Sequence, residues 1–267
     1  MFITLIALIA TAASAGTAPL AVRLHYFDSR GLGESVRLTL AELGIMWEEV
    51  AHSGESWKEA KPHGVESGFL TFGQIPLLEY TDSSGKNFTM VQSQAILQFL
   101  GRRHGLYSSD SMSDEEVIKT DVVMGGVADV KKRYGKMAYA KASELEKELE
   151  EYKTFLSTWL PYFERLAPAR GLAAEADSFT IPEYISGPFS IADALVYDML
   201  DTCVRRVDPG ALKPFPKLRA LMKRIEQRPN IATYLKSPRR RNYANGPAAS
   251  YDTLSNPPAH LKASEEL

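Results

Sequence analysis

The chain has 267 residues, of which 45% are hydrophobic and 24% charged, and these values exclude a mostly disordered protein. The formal net charge at pH 7 is -2, so we expect no overall field that attracts nucleic acid or an anionic membrane. The single cysteine, Cys203, can form neither an intramolecular disulfide nor a cysteine-based zinc site, and the fold must therefore depend on its core.

The first 20 residues are predicted to be separate from the fold. An apolar run, Phe2–Ala10, is followed by small residues at 13–15, a pattern typical of a secretory signal with an Ala-x-Ala-like cleavage site. The start lacks lysine and arginine, so a buried or disordered extension is the alternative. The run is too short for an ordinary membrane span, and we expect no stable membrane association.

Strand and helix patterns alternate between residues 22 and 107. Apolar runs bounded by turn residues predict strands over 22–27, 45–50, 75–80 and 86–91. Helical periodicity predicts helices over 34–43 and from Ser93 onward, and the polar stretch 53–72 predicts a long loop with a short helix near Trp57. The order βαβ and then ββα predicts an α/β domain whose small sheet carries helices on its faces.

The second half is predicted to be all-α. Helical periodicity runs over 114–139, 143–167, 191–204 and 216–228, after a polar linker near 106–112. We therefore expect an α/β domain over 22–107, a helical domain over 113–236 and a tail over 237–267. The three arginines at 239–241 are expected to be a solvated end of this tail, since the chain as a whole is not basic.

Two short motifs have both a functional and an ordinary interpretation. A cis bond between Ile75 and Pro76 would turn the backbone of Ile75 outward, where it can pair with an extended peptide, but a trans proline at a strand start is more common. Ser93 begins a helix whose N-terminus suits a carboxylate ligand, but a plain N-cap serine is more frequent. From these residues alone the ordinary interpretation is favoured for both.

Six segments between residues 25 and 200 match one known family in order and spacing, and the resemblance as a whole covers about residues 22–246. They are HYFDSRG…ESVR, ESWKEAKP, GQIPLLEY, VQSQAILQFLGRRHGLY, GGVADVKKRY and PFSIADALVYDML. Together they resemble the cytosolic-type glutathione S-transferases, especially the tyrosine-dependent pi and sigma classes. The resemblance implies a thioredoxin-like N-terminal domain followed by an all-helical domain. It also implies a homodimer, and glutathione as co-substrate without a further cofactor.

The resemblance assigns roles to individual residues. It implies that the Tyr26 hydroxyl forms a hydrogen bond with the glutathione sulfur, and that Ile75-Pro76 is the family's cis peptide. The implied glutathione-binding residues are Trp57, Lys61, Gln74, Ile75, Pro76, Gln92, Ser93 and, across a dimer interface, Asp129. The pocket for a hydrophobic electrophile is expected to contain Tyr139 and Phe27.

The chain departs from the family at two places. Leu32 stands where many members have an arginine that helps set the charge around the thiolate, which would leave that task to Arg30 unless Arg30 is only a structural surface charge. The stretch His63–Phe72 is longer than in pi-class proteins and is expected to shift Lys61. These departures keep a non-catalytic glutathione-binding relative open as an alternative to a conjugating enzyme. The resemblance to the sigma class, which includes a prostaglandin isomerase, keeps a glutathione-dependent isomerase open as a second one.

Three further expectations concern structure, metal binding and location. Ser190 and Asp193 form a capping-box pattern with Phe189 as hydrophobic staple, and Cys203 is expected to be a small core residue. The histidines lack paired ligand spacing, so no metal site is predicted. The family is usually cytosolic whereas the N-terminal segment indicates a secretory route, and the location is left undecided.

Overall fold

The computed structural model describes residues 18–108, 110, 112–170, 172, 182–246 and 249–251. The predicted targeting segment lies almost entirely outside the described residues, as does the end of the tail. Over the described part of the chain, no helix is both long enough and apolar enough to cross a membrane.

The N-terminal domain is built around a four-stranded mixed sheet. Its strands are β1 (Ala21–Phe27), β2 (Glu48–His52), β3 (Leu77–Thr81) and β4 (Asn87–Val91), in the order β2-β1-β3-β4. Strands β1 and β2 are parallel, while β3 is antiparallel to both of its neighbours. The helices are α1 (Glu34–Glu42), α2 (Gly54–Glu66) and α3 (Ser93–His104). The predicted α/β architecture is confirmed.

Strand β1 places Tyr26 by simple alternation. Val22, Leu24 and Tyr26 are buried, while the side chains between them lie on the opposite face of the sheet. Tyr26 is one residue from the end of the strand and pairs in register with Ala51 of β2. Its ring is therefore held at the edge of the sheet where the chain leaves for α1.

Helix α2 is longer than predicted. It spans 13 residues, where the sequence indicated a loop with only a short helix. Ser53 starts it with a capping box, in which the Ser53 hydroxyl accepts from the Ser56 N–H and the Ser56 hydroxyl accepts from the Ser53 N–H. Gly54, Pro62 and Gly64 are poor helix formers and obscured the helical pattern.

The C-terminal domain is helical, as predicted. Its helices are α4 (Asp114–Ala138), α5 (Leu145–Leu166), α6 (Ile191–Asp198), α7 (Pro216–Glu226) and α8 (Pro229–Leu235), and α6 continues as a π-helix over Met199–Arg205. The predicted capping box at Ser190 and Asp193 is present at the start of α6. Helix α1 contacts α3, α6 and α8, so it joins the two domains.

The expectation of a solvated arginine run at 239–241 is wrong. Arg240 forms ion pairs with Asp201 and with Glu34, which is buried in α1. The guanidinium of Arg239 stacks over the Trp47 ring at 4.0 Å from its centroid. The partners of these arginines lie far away in the chain, so the local sequence contains no sign of them.

Residues 237–246, which we call the strap, return to the loop that follows β1. The Arg30 N–H donates to the Tyr243 carbonyl and the Gly31 N–H to the Ala244 carbonyl, both at 2.8 Å. The Arg30 side chain is only 13% exposed and pairs with Asp201 at 3.2 Å. Arg30 is therefore not the surface charge that was considered but a buried link between the loop, the strap and the helical domain.

Candidate active site

The Tyr26 hydroxyl is held by the backbone of the loop that follows its strand. It accepts a hydrogen bond from the Leu32 N–H at 2.8 Å. A phenol that accepts in this way keeps its own proton for donation to an acceptor in front of it. Burial raises the pKa of Tyr26, while the Leu32 N–H and the charge of Lys131 act in the opposite direction. The raised pKa keeps the hydroxyl neutral, and thus a donor, at physiological pH.

Two glycines allow this close approach of backbone and ring. Gly31 has φ of +42°, and a Cβ there would lie 2.4 Å from the Tyr26 hydroxyl oxygen. A Cβ at Gly33 would lie 2.8 Å from the ring. Only glycine fits at either position without moving the tyrosine.

A cleft of about 270 Å³ lies beside this loop and brings together residues from three separate stretches. Lys61 and Trp57 come from consecutive turns of α2, Gln74, Ile75 and Pro76 from the loop before β3, and Gln92 and Ser93 from the start of α3. Phe27, Leu32 and Gly73 complete its lining. Helix α2 continues to Glu66, within the stretch after His63 that was expected to shift Lys61, and Lys61 lines the cleft.

The backbone around Pro76 and Ser93 has two unusual features. The Ile75-Pro76 peptide is cis. Gln92 has φ of +74°, which is uncommon for a residue other than glycine, and it immediately precedes the first residue of α3. The Gln92 side-chain amide donates to Oε1 of the Gln74 side chain at 3.1 Å. The first-turn N–H groups of α3 and its positive dipole end are thus available to an anionic group in the cleft.

A second, larger cavity of about 410 Å³ lies between the two domains and meets the cleft at Leu32 and Ser93, which line both. Its wall is mainly apolar, with Met124, Val127 and Leu195 among the lining residues. The polar lining residues include Tyr26, Tyr139 and Asn245. Tyr139 is exposed, and its hydroxyl donates to the Asn245 carbonyl at 3.5 Å.

The cavity also contains an ion pair that the sequence did not indicate. Lys131 of α4 pairs with Asp198 at the end of α6, and the Thr202 hydroxyl donates to the same aspartate at 3.0 Å. The available signal was weak: Asp198 is a lone acidic side chain in the apolar stretch Ala194–Leu200. Such a residue in a buried helix needs a partner.

The chain is similar to known proteins over most of its length. The family model described as "Glutathione S-transferase, N-terminal domain" matches residues 22–102, and "Glutathione S-transferase, C-terminal domain" matches residues 128–238. Glutathione S-transferase P 1 of Xenopus laevis is 32% identical over 214 residues, which cover 80% of this chain and 91% of that protein.

The chain belongs to the glutathione S-transferase family.

Two other glutathione S-transferases support the same assignment. Glutathione S-transferase P of Homo sapiens is 31% identical over 224 residues, covering 83% of this chain and 93% of that protein. The solved structure of the pi-class glutathione S-transferase of Onchocerca volvulus has a TM-score of 0.68 and 28% identity, and the match covers 86% of this chain and 100% of that one. The pi-like resemblance inferred from the sequence is confirmed.

The remaining predicted residues of this glutathione S-transferase lie in different places. Phe27, expected in the electrophile pocket, lines the smaller cleft instead, with its ring 5.8 Å from that of Trp57. Asp129 is exposed on α4 and lines neither the cleft nor the cavity.

Cys203 is buried, as predicted, but it also lines the cavity, and burial raises the pKa of its thiol, so it remains protonated. Among the described residues, no group of three or more histidine, cysteine or acidic side chains is arranged to hold a metal ion.

Proposed function

We propose that this glutathione S-transferase (EC 2.5.1.18) binds glutathione in the smaller cleft and activates its thiol by a hydrogen bond from Tyr26. The hydrophobic electrophile would then occupy the adjoining larger cavity. The observation that carries the proposal is the Tyr26 hydroxyl itself, which lines the cavity close to its junction with the cleft and has its acceptor position filled by the Leu32 N–H. Its proton is therefore directed toward a partner in the site.

The chemistry requires such a donor. A free thiol has a pKa of about 8.5, so only a few per cent is thiolate at pH 7, and the thiolate is the nucleophile. Lowering that pKa by about 2 units makes most of it reactive and requires about 2.7 kcal/mol of differential stabilisation. A hydrogen bond to the charged form within a partly dry site is a sufficient kind of source.

The cleft offers a complementary group for each end of the tripeptide. The Lys61 ammonium and the Trp57 indole suit the glycyl carboxylate, and the backbone of Ile75 suits the cysteinyl part. Gln92 and Ser93, at the N-terminus of α3, suit the carboxylate of the γ-glutamyl end. Glutathione in this orientation would place its sulfur toward Tyr26.

The reaction we expect is conjugation. The thiol releases its proton to water, the sulfur forms a bond to the electrophilic carbon, and a leaving group such as halide departs with its electron pair. The mainly apolar wall of the cavity favours hydrophobic electrophiles, in keeping with a role in detoxification.

We also propose that the protein is a homodimer in which Asp129 reaches the glutathione amine of the partner subunit. The support is a set of large apolar side chains that are more than half exposed in the single chain, Phe72, Ile118 and Val122. The last two lie on α4, as does Asp129. Light scattering that gives the mass of one chain would contradict this proposal.

Replacement of Tyr26 tests the mechanism. Tyr26→Phe removes only the hydroxyl, so we expect turnover of an aryl halide at pH 7 to fall about twentyfold, as the bound thiol returns to a few per cent thiolate. Retention on a glutathione column should persist. Tyr162→Phe, which removes a hydroxyl on the exposed face of α5, is the matched control and should match the wild type.

Two outcomes would contradict the proposal. Unchanged turnover in Tyr26→Phe would exclude Tyr26 as the activating group. Retention of the wild type on the column without any turnover would favour a non-catalytic glutathione-binding protein.

A further inference from the structure

The ion pair between Lys131 and Asp198 is built into the wall of the electrophile cavity. Both residues line the cavity, but the Lys131 side chain is 12% exposed whereas that of Asp198 is fully buried, so the ammonium is the more accessible member of the pair. Tyr26 lines the same cavity. A buried charge pair is costly to place in an otherwise apolar wall, and its position beside the reactive centre calls for an explanation.

The charge expected near the thiolate is missing from its usual place. Leu32, which is 45% exposed, stands where the resemblance expects an arginine. Two other guanidinium groups near the loop are already engaged. Arg37 donates to Glu49 and to the Ser29 carbonyl, and Arg30 pairs with Asp201.

We propose that Lys131 supplies the positive charge that stabilises the glutathione thiolate, and that Asp198 positions Lys131 for this role. The inference rests on the proposed function, because it concerns the same sulfur. The thiol proton is released to water and the sulfur keeps its electron pair, so the step needs no further reactant.

The pair has no net charge, so its effect depends on its orientation. Burial raises the pKa of the Tyr26 hydroxyl, and among the charged groups around it Lys131 lowers this pKa by more than Asp198 raises it. The partly exposed ammonium and the fully buried carboxylate agree with this order of effects, so we take the positive end of the pair to be the nearer one to the site.

The protonation state of Lys131 is also suited to the role. Burial has the largest single effect on the pKa of Lys131 and would lower it, but Asp198, with Cys203 and Tyr26 acting in the same direction, raises the pKa overall. The ammonium is therefore charged at every pH at which the thiol titrates. Lys132 also lines the cavity, but it is exposed to solvent and its charge is screened.

The test compares three variants with the wild type by the pH at which bound glutathione ionises, followed by the ultraviolet absorbance of its thiolate. Lys131→Met should raise the thiol pKa by about 0.5 to 1 unit, and kcat/KM below that pKa should fall about three- to tenfold. Lys131→Arg should restore both values. Lys136→Met removes an exposed lysine from the same helix and should match the wild type.

A fourth variant protects the test against misfolding. Lys131→Met leaves Asp198 as a lone buried carboxylate, which can unfold the protein. The double variant Lys131→Met with Asp198→Asn removes both charges, and it too should raise the thiol pKa because the positive end of the pair is lost.

The outcomes separate this inference from the proposed function. A wild type that binds glutathione but shows no turnover would refute the proposed function. A wild type with normal turnover, together with an unchanged thiol pKa in the folded Lys131→Met or double variant, would overturn the role of Lys131 and leave that of Tyr26 intact. A raised thiol pKa that Lys131→Arg fails to restore would also overturn it, because positive charge would not then be the cause.

Discussion

Asp201 should be among the most sensitive positions for stability in this molecule. Its carboxylate accepts from Arg30 in the loop after β1, from Arg205 in the π-helix and from Arg240 in the strap. Burial would raise the pKa of Asp201, but these three guanidinium groups outweigh burial and lower it. Asp201→Asn keeps the shape of the side chain and removes only its charge.

The expected cost follows from how deeply each arginine is buried. The side chains of Arg30 and Arg240 are 13% and 16% exposed, so the loss of the Asp201 charge leaves Arg30 as a buried cation without its carboxylate partner and Arg240 with only its longer pair to Glu34 at 3.5 Å. Arg205 is 39% exposed, and its share is screened to below about 1 kcal/mol. Breaking a buried pair from one side costs about 3–5 kcal/mol, which is the decrease in unfolding free energy that we expect.

Urea unfolding monitored by tryptophan fluorescence measures this cost. Glu150→Gln is the matched control, because its exposed pair with Lys153 should contribute below about 1 kcal/mol. The difference between wild type and Asp201→Asn should be fully present above pH 4, near the unfolded pKa of about 3.9, and should disappear as pH falls through the lowered folded pKa. A loss as small as that of the control would refute the assignment of Asp201 as the centre of a buried charge cluster.

Two further substitutions test local features. Gly31→Ala should lower kcat/KM about 10- to 100-fold because its Cβ would displace the Tyr26 hydroxyl, whereas Gly85→Ala, also at positive φ but with open space around it, should leave kcat/KM unchanged. Equal activity of the two variants would contradict the close fit around Tyr26. Ser190→Ala should lower the unfolding free energy by about 1 kcal/mol, since its buried hydroxyl caps α6 at the Ala192 N–H, and an unchanged urea midpoint would contradict this role.

Much of the fold was predictable because its signals are local. The alternation of Val22, Leu24 and Tyr26 marks β1, and the long periodic runs in the second half mark its helices. Helix α2 was underestimated because Gly54 and Pro62 weaken the local signal, while the capping interaction that starts the helix depends on Ser53 and Ser56, a less usual pair for a capping box.

The candidate site was also predictable only in part. The sequence contains the residues of the cleft, but only the family resemblance connects Lys61, Ile75 and Ser93 with Tyr26. The charge pairs were not predictable. Arg30 and Asp201 are 171 residues apart and Lys131 and Asp198 are 67 apart, so neither pair has a spacing that periodicity or a motif can reveal.

The strap is synthesised after the domains whose active-site loop it holds in place. A nascent chain that has emerged as far as Leu235 contains the strands β1–β4 and the helices α1–α8 but not the carbonyl groups of Tyr243 and Ala244 that hold Arg30 and Gly31. The loop that carries the Leu32 N–H to Tyr26 is completed only when the ribosome has released residues 243–244. Tyr26 is therefore synthesised early but acquires its final environment late. Catalytic activity should appear only after the two domains have formed.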